Sequence, residues 1–176
     1  MSASLLSRRL GAGLLLGLAA ALLGACGFQL RGPVDPGFSR IALAGFTPRS
    51  PMAEALRRSL PERVQVVGPA QAQLLVTALE DRFTRTVAAT TASGQVRELT
   101  LTTTLRYRLS RPGQEVLVEE TTLSQTRSLS YTEDSALAKS QEEAQLLREM
   151  RHEIAGQLLR VMATVAARPA AASAPA

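Results

Sequence analysis

The sequence predicts an α+β fold: a two-layer sandwich with two helices packed on one face of a four-stranded, mixed but mostly antiparallel sheet, in the order β-α-β-β-β-α. Three observations carry that expectation. Within residues 96–110, Leu99, Leu101, Leu105, Tyr107 and Leu109 alternate with Thr100, Thr102, Thr104, Arg106 and Arg108, the period of a half-buried strand. Near the carboxyl end, Leu147, Met150, Ile154, Leu158, Val161 and Val165 recur at spacings of three and four, the stripe of a long amphipathic helix. Hairpin signals, Ser93-Gly94 and Arg111-Pro112-Gly113, flank the first of these patterns.

The elements follow in order. Gly27, Gly32, Pro33, Pro36 and Gly37 mark residues 26–37 as an extended tether. Phe38 to Ala44 reads as a first strand, ended by Gly45. A helix start follows: Ser50 as N-cap, Pro51 at the first helical position and Glu54 in the first turn. The helix runs to Leu60, with Met52, Ala55, Leu56 and Leu60 on its apolar face, and Pro61 ends it. Val64 to Val67 is either loop or a short extra strand. Three longer strands come next, near 73–86, 96–110 and 115–131. In the first of them, Leu75, Leu79, Phe83 and Val87 fall on one face by spacing. The third alternates imperfectly, which predicts a bulge or a change of facing. The last helix spans Ser135 to Val165. The domain is thus expected over 38–166, followed by a disordered Pro/Ala/Ser-rich tail at 167–176.

The amino terminus is read separately from the fold. Arg8 and Arg9 precede the apolar run Leu10 to Leu23. That run is shorter than the ~20 residues of a membrane-spanning helix and suits a signal peptide. It ends in Leu23-Gly24-Ala25-Cys26, which resembles a lipobox: an aliphatic residue, two small residues, then the cysteine that takes the lipid. Residues 1–25 are therefore expected to be a cleaved export signal and Cys26 a lipidated first residue. Gly27 rather than aspartate follows the cysteine. In enterobacteria-like sorting, that absence of a retention signal directs the protein to the outer membrane, facing the periplasm.

Composition narrows the function classes. With one cysteine and one histidine, no internal disulfide or zinc cluster can form, and neither a metal nor a cofactor is expected. The formal charge of +5 is modest and aromatics make up 3%, so nucleic acid is not an expected partner; an anionic lipid surface is. Lys139 is the single lysine among the basic residues, the rest being arginine, whose planar fork grips phosphate bidentately. No G-x-S-x-G elbow, Walker-type loop or H-E-x-x-H motif occurs. His152, Glu119-Glu120 and Glu142-Glu143 sit among other charges and read as solvated surface, so an enzyme is not expected.

The polar side of the sheet remains. Thr100, Thr102, Thr104, Arg106 and Arg108 share one face of the clearest strand, and Thr84, Arg85, Thr121, Thr122, Thr126 and Arg127 place the same residue types on its neighbours. Such a face is either ordinary solvated surface or one meant to pack against another polar wall.

The start at Cys26, Cys-Gly-Phe-Gln-Leu-Arg-Gly, resembles the opening of the lipopolysaccharide-assembly lipoproteins, the LptE or rare lipoprotein B family. The β-α-β-β-β-α order, the Ser93-Gly94-Gln95 hairpin, and Ala136-Leu137-Ala138-Lys139 leading to Glu149-Met150 and Gln157-Leu158-Leu159-Arg160 agree with it. The resemblance covers residues 26 to about 165. It implies a non-enzymatic plug inside the lumen of the LptD-type outer-membrane β-barrel, which assists assembly of that barrel and binds lipopolysaccharide on its way to the outer leaflet. A barrel lumen is polar, so the face bearing Thr100, Thr102, Thr104, Arg106 and Arg108 is expected to meet the barrel, and the resemblance implies that Lys139, in the A-L-A-K position, meets lipid phosphates. Where some relatives carry a cation in the hairpin, this chain has Ala92 and Ser93, leaving Arg97 as the closest basic residue. The alternative is an accessory lipoprotein of another envelope lipid-transport machine.

Overall fold

The computed structural model describes residues 36–113, 116–132 and 135–167. The expected signal segment, Cys26, most of the tether and nearly all of the tail lie outside them. The elements are β1 (Arg40–Ala44), α1 (Pro51–Ser59), β2 (Gln65–Val66), a 3-10 turn at Pro69–Gln71, β3 (Leu74–Thr90), β4 (Val96–Ser110), β5 (Val116–Ser130) and α2 (Ala136–Ala166).

The sheet order is β2-β1-β3-β4-β5. β1 runs parallel to β3, through Ile41↔Leu74 to Ala44↔Thr77, whereas β3, β4 and β5 form an antiparallel meander. The sheet has five strands, not the four expected. The extra one, β2, pairs in parallel with β1 over Arg40↔Gln65 and Ile41↔Val66. Two exposed residues are too few for a period of two to register in sequence, and backbone bonds such as Val67 N–H to the Ile41 carbonyl (2.8 Å) are what define it.

Both helices cover one face. Ser50 caps α1: its Oγ accepts from the Ala53 N–H at 3.0 Å and donates to Asp81 Oδ2 at 2.6 Å, so the cap also ties the helix to β3. Met52, Ala53, Ala55 and Leu56 are buried beneath it. α2 buries Met150, Ile154, Ala155, Leu158, Met162 and Val165, and His152 Nδ1 lies 3.2 Å from Ser59 Oγ, joining the two helices. The main core gathers Ile41, Met52, Leu56, Val76, Leu105, Tyr107, Leu109, Ile154 and Leu158; a second cluster under the start of α2 holds Leu99, Leu101, Leu129 and Met150.

β1 stops where the chain must turn away. Gly45 has φ +77°, and a Cβ there would lie 2.1 Å from the Ala78 carbonyl oxygen. Only glycine fits so close an approach in that left-handed conformation.

The expected apolar row on β3 is not the one observed. Leu74, Val76 and Ala78 are buried, whereas Leu79, Phe83 and Val87 are exposed and Leu75 is half-buried. The register shifts between Ala78 and Glu80. This bulge exchanges the faces: even positions point to the core before it, and odd positions, opposite Leu105, Thr103, Leu101 and Leu99, point to the helix side after it. The irregularity expected in β5 is present, where pairing shifts between Tyr107↔Thr121 and Leu109↔Val118.

Candidate functional site

The face of the sheet away from the helices carries a two-dimensional array of hydroxyls. Cross-strand register places Thr86, Thr100 and Ser128 in one row, and Thr84, Thr102 and Thr126 in the next; Arg82, Thr104 and Ser124, then Glu80, Arg106 and Thr122, follow. Strand spacing of ~4.8 Å and a repeat of ~6.7 Å along each strand set the lattice. Threonine suits it because its branched Cβ favours strands and its hydroxyl both donates and accepts. The hydroxyls pair across strands, Thr102 Oγ1 to Thr126 Oγ1 and Thr104 Oγ1 to Ser124 Oγ, each at 3.3 Å.

Apart from Glu98, opposite Ser130 at one end of the face, charge gathers at the other end, where most of it is paired. Arg106 Nε donates to Glu80 Oε2 at 3.2 Å, and its Nη1 pairs with Glu120; Arg82 pairs with Glu80 as well. The hydrogen bond and charge of Glu120, followed by those of Glu80, push the Arg106 guanidinium above its ordinary value. Two arginines against two glutamates leave the cluster neutral. Arg108 lies one step further along β4 and is exposed.

Thr100, Thr102, Thr104 and Arg106 therefore share the open face, along with Thr84, Thr122 and Thr126 from the neighbouring strands. Arg85, Thr121 and Arg127 do not. Each pairs with a core-facing residue of β4, Leu101 for both arginines and Tyr107 for Thr121, and so faces the helices. Arg127 grips Glu153 of α2 with hydrogen bonds of 2.7 and 2.9 Å, and Arg85 reaches Glu143 at 3.4 Å. On the same side, burial lowers the Arg151 guanidinium from its ordinary value, opposed by the charge of Asp81.

The second group of expected residues meets at the hairpin end of the sheet. Lys139, in the first turns of α2, donates from Nζ to Glu142 Oε2 at 2.8 Å and to Ser130 Oγ at 3.3 Å. The next residue, Tyr131, gives its N–H to the Arg97 carbonyl at 2.8 Å, and the Arg85 guanidinium carbon lies 6.0 Å from its ring centroid. The side chains of Lys139 and Arg85 thus reach Ser130-Tyr131, whereas Arg97 meets it through its backbone carbonyl. Spacing in the sequence had no means of bringing Arg85 into this group, because the bulge that turns it sits six residues earlier. Beside them, Leu137 projects into solvent.

Among the described residues no cluster of His, Cys, Asp and Glu could hold a metal, and no helix is long and apolar enough to cross a membrane. The fold and this face define a class: a small two-layer α+β domain that offers a broad polar sheet surface and a strand end where Lys139 and Arg85 pair with Glu142 and Glu143. A family model described as lipopolysaccharide-assembly, LptE, matches residues 38–162, and the chain belongs to that family. It is 29% identical over 157 residues, 86% of this chain and 84% of the relative, to a protein of Pectobacterium atrosepticum named LPS-assembly lipoprotein LptE. In fold it is similar to lipoprotein B of Nitrosomonas europaea, with TM-score 0.65 and 26% identity over 80% of this chain and 94% of that one. The rare lipoprotein B of Shewanella oneidensis shares the fold, with TM-score 0.59 and 23% identity over 71% and 94% of the two chains.

Proposed function

We propose that this chain is a non-enzymatic lipoprotein of the outer membrane, held on its periplasmic side by lipid on Cys26. It seats in the lumen of an LptD-type β-barrel, assists assembly of that barrel, and binds lipopolysaccharide in transit to the outer leaflet. The observation that carries this reading is the open sheet face. A barrel lumen is polar, and the array around Thr102 and Thr126 is polar, charge-balanced and rich in groups that both donate and accept. Thr100, Thr102 and Thr104 supply hydrogen bonds to the wall, with Arg106 and Arg108 at its charged end. Lys139 and Arg97, at the hairpin end, face the phosphates of lipid A. A phosphate reaching Lys139 takes the place of Glu142, exchanging one charge-assisted contact for another.

Pull-down of the barrel and binding of purified lipopolysaccharide test the two halves separately. Lys139→Asp is expected to weaken lipopolysaccharide binding by about 10- to 100-fold, the loss of a contact of roughly 1.5–3 kcal/mol, while the barrel still co-purifies. Thr102→Arg with Thr126→Arg, which crowds the centre of the array, is expected to abolish barrel co-purification at an unchanged melting temperature. Equal loss of both activities from Lys139→Asp would refute the division of labour, and retention of the barrel by the arginine pair would refute the docking face.

A further inference from the structure

Two arginines reach from the sheet toward α2, and they are held differently. Arg127 gives its Nη2 to both carboxylate oxygens of Glu153, at 2.7 and 2.9 Å, the distances of full charge-assisted hydrogen bonds. Arg85 meets Glu143 through Nε alone, at 3.4 Å, and 46% of its side chain is exposed. That contact is an ion pair longer than such a hydrogen bond. The two terminal Nη groups of Arg85 have no hydrogen-bond partner among the described residues. Glu143 is not its sole neighbour. The Tyr131 ring centroid lies 6.0 Å from the guanidinium carbon, at the reach of a cation–π contact, and Tyr131 is itself packed against the second apolar cluster. The fork of Arg85 is thus kept at the strand end with its outer donors open, the geometry that grips phosphate bidentately.

The preceding residue carries the other cation. Ser130 Oγ accepts from Lys139 Nζ at 3.3 Å, and Glu142 Oε2 accepts from it at 2.8 Å. An ammonium has three donors, so one is left over. Two cations therefore stand on the consecutive residues Ser130 and Tyr131, each with donors to spare. Facing them are two consecutive acids of α2, Glu142 on Lys139 and Glu143 on Arg85. These carboxylates neutralise the cations, and the same negative charge opposes an incoming phosphate.

We propose that Arg85 binds phosphate beside Lys139, and that Glu142 and Glu143 are counter-ions that set the affinity of the site. The ligand is the phosphorylated headgroup of lipopolysaccharide, so the inference rests on the reading given above and extends it to a residue of β3. A phosphate on the outer fork of Arg85 displaces only the long contact to Glu143 and leaves the guanidinium over Tyr131. Arg127 takes no part, because its carboxylate clamp is already closed.

Binding of lipopolysaccharide, and of chemically dephosphorylated lipopolysaccharide, to the purified full-length chain in detergent tests it. Arg85→Gln is expected to weaken binding of lipopolysaccharide by roughly tenfold and to leave binding of the dephosphorylated form unchanged. Arg85→Lys keeps the charge without the fork and is expected to fall between the two. Arg127→Gln is expected to bind as the parent does. Glu142→Gln with Glu143→Gln is expected to tighten binding by roughly 3- to 10-fold, a gain that damage to the fold cannot imitate. Parent affinity in Arg85→Gln, with weakened binding in Lys139→Asp, would overturn this proposal and leave the wider reading standing. Parent affinity in both variants would overturn the two together. The proposal also fails if Arg85→Gln weakens both forms of the ligand equally, if Arg127→Gln loses as much as Arg85→Gln, or if the glutamine pair brings no gain.

Discussion

The two faces of β4 are made from one continuous stretch of chain and behave as opposite materials. On the helix side Leu99, Leu101, Leu105, Tyr107 and Leu109 are buried in two apolar clusters. On the other side Thr100, Thr102 and Thr104 form a hydroxyl lattice, and Arg106 is held between Glu80 and Glu120. The first face is defined by the exclusion of water. The second is defined by hydrogen bonds that water or a partner can equally complete. Stability therefore resides on the first face, and the second is free to be specified by what it touches.

The largest expected effect breaks the comparison outright if it fails. Leu101→Asp and Leu158→Asp each place an unpaired carboxylate among fully buried side chains, a change costing more than ~4 kcal/mol, and each is expected to abolish the cooperative thermal transition. Thr102→Asp, one residue from Leu101 but on the open face, is expected to stay within about 1 kcal/mol of the parent. Similar melts for Leu101→Asp and Thr102→Asp would mean that the two faces do not differ as described.

Gly45→Ala comes next. The added methyl meets the Ala78 carbonyl oxygen in a left-handed backbone, and the strain alone costs roughly 1–3 kcal/mol. Denaturant titration should show a lower midpoint, and amide exchange should show loss of protection first in β1. Ser50→Ala removes the α1 cap and the partner of Asp81; a loss of about 1 kcal/mol is expected, read as a fall in melting temperature.

The smallest effect sharpens the picture of the buried face. The Tyr107 hydroxyl is buried without a hydrogen-bond partner, and burial raises its pKa above the ordinary 10.0. Tyr107→Phe removes an unsatisfied polar group and is expected to leave stability unchanged or raise it by about 1 kcal/mol. The sign with pH follows. A folded-state pKa above the unfolded one gives stability that is complete below pH ~10 and is lost as pH rises from there toward the folded value. Alkaline melts of Tyr107→Phe should therefore fall less steeply than those of the parent.

How far the sequence could be read depended on whether a strand stays regular. β4 was legible over most of its length, because Leu99, Leu101, Leu105, Tyr107 and Leu109 keep to odd positions with Thr103 alone breaking the row, and the facing of Thr100, Thr102, Thr104 and Arg106 followed from it. β3 was not, because Leu74 and Leu75 offer the same chemistry to both faces and the bulge at Leu79 changes which row continues inward. That one irregularity turned Phe83, Arg85 and Val87 together toward the helix side, where Phe83 and Val87 are exposed rather than part of the expected core. Arg127 was misplaced for a related reason. In β5 the shift between Val118 and Thr121 fixes the parity of everything after it, and composition alone does not locate that shift. Lys139 could be assigned to the start of a helix, but its meeting with Ser130 depends on where the 31-residue helix lies across the sheet, which no local pattern encodes.

The place of β1 between β2 and β3 has a consequence for the order in which the molecule comes together. β3, β4 and β5 are joined by tight turns, so their pairing closes short loops and is entropically cheap. β1 pairs in parallel with β3 across an intervening helix, a more distant contact that forms slowly. Yet β1 comes first in the chain, and its partner follows only after α1 and the 3-10 turn. The leading end of the domain therefore waits with both edges open until the meander behind it has formed. During that interval Ile41 and Ala42, fully enclosed in the finished fold, are accessible to any chaperone that handles the unfolded chain.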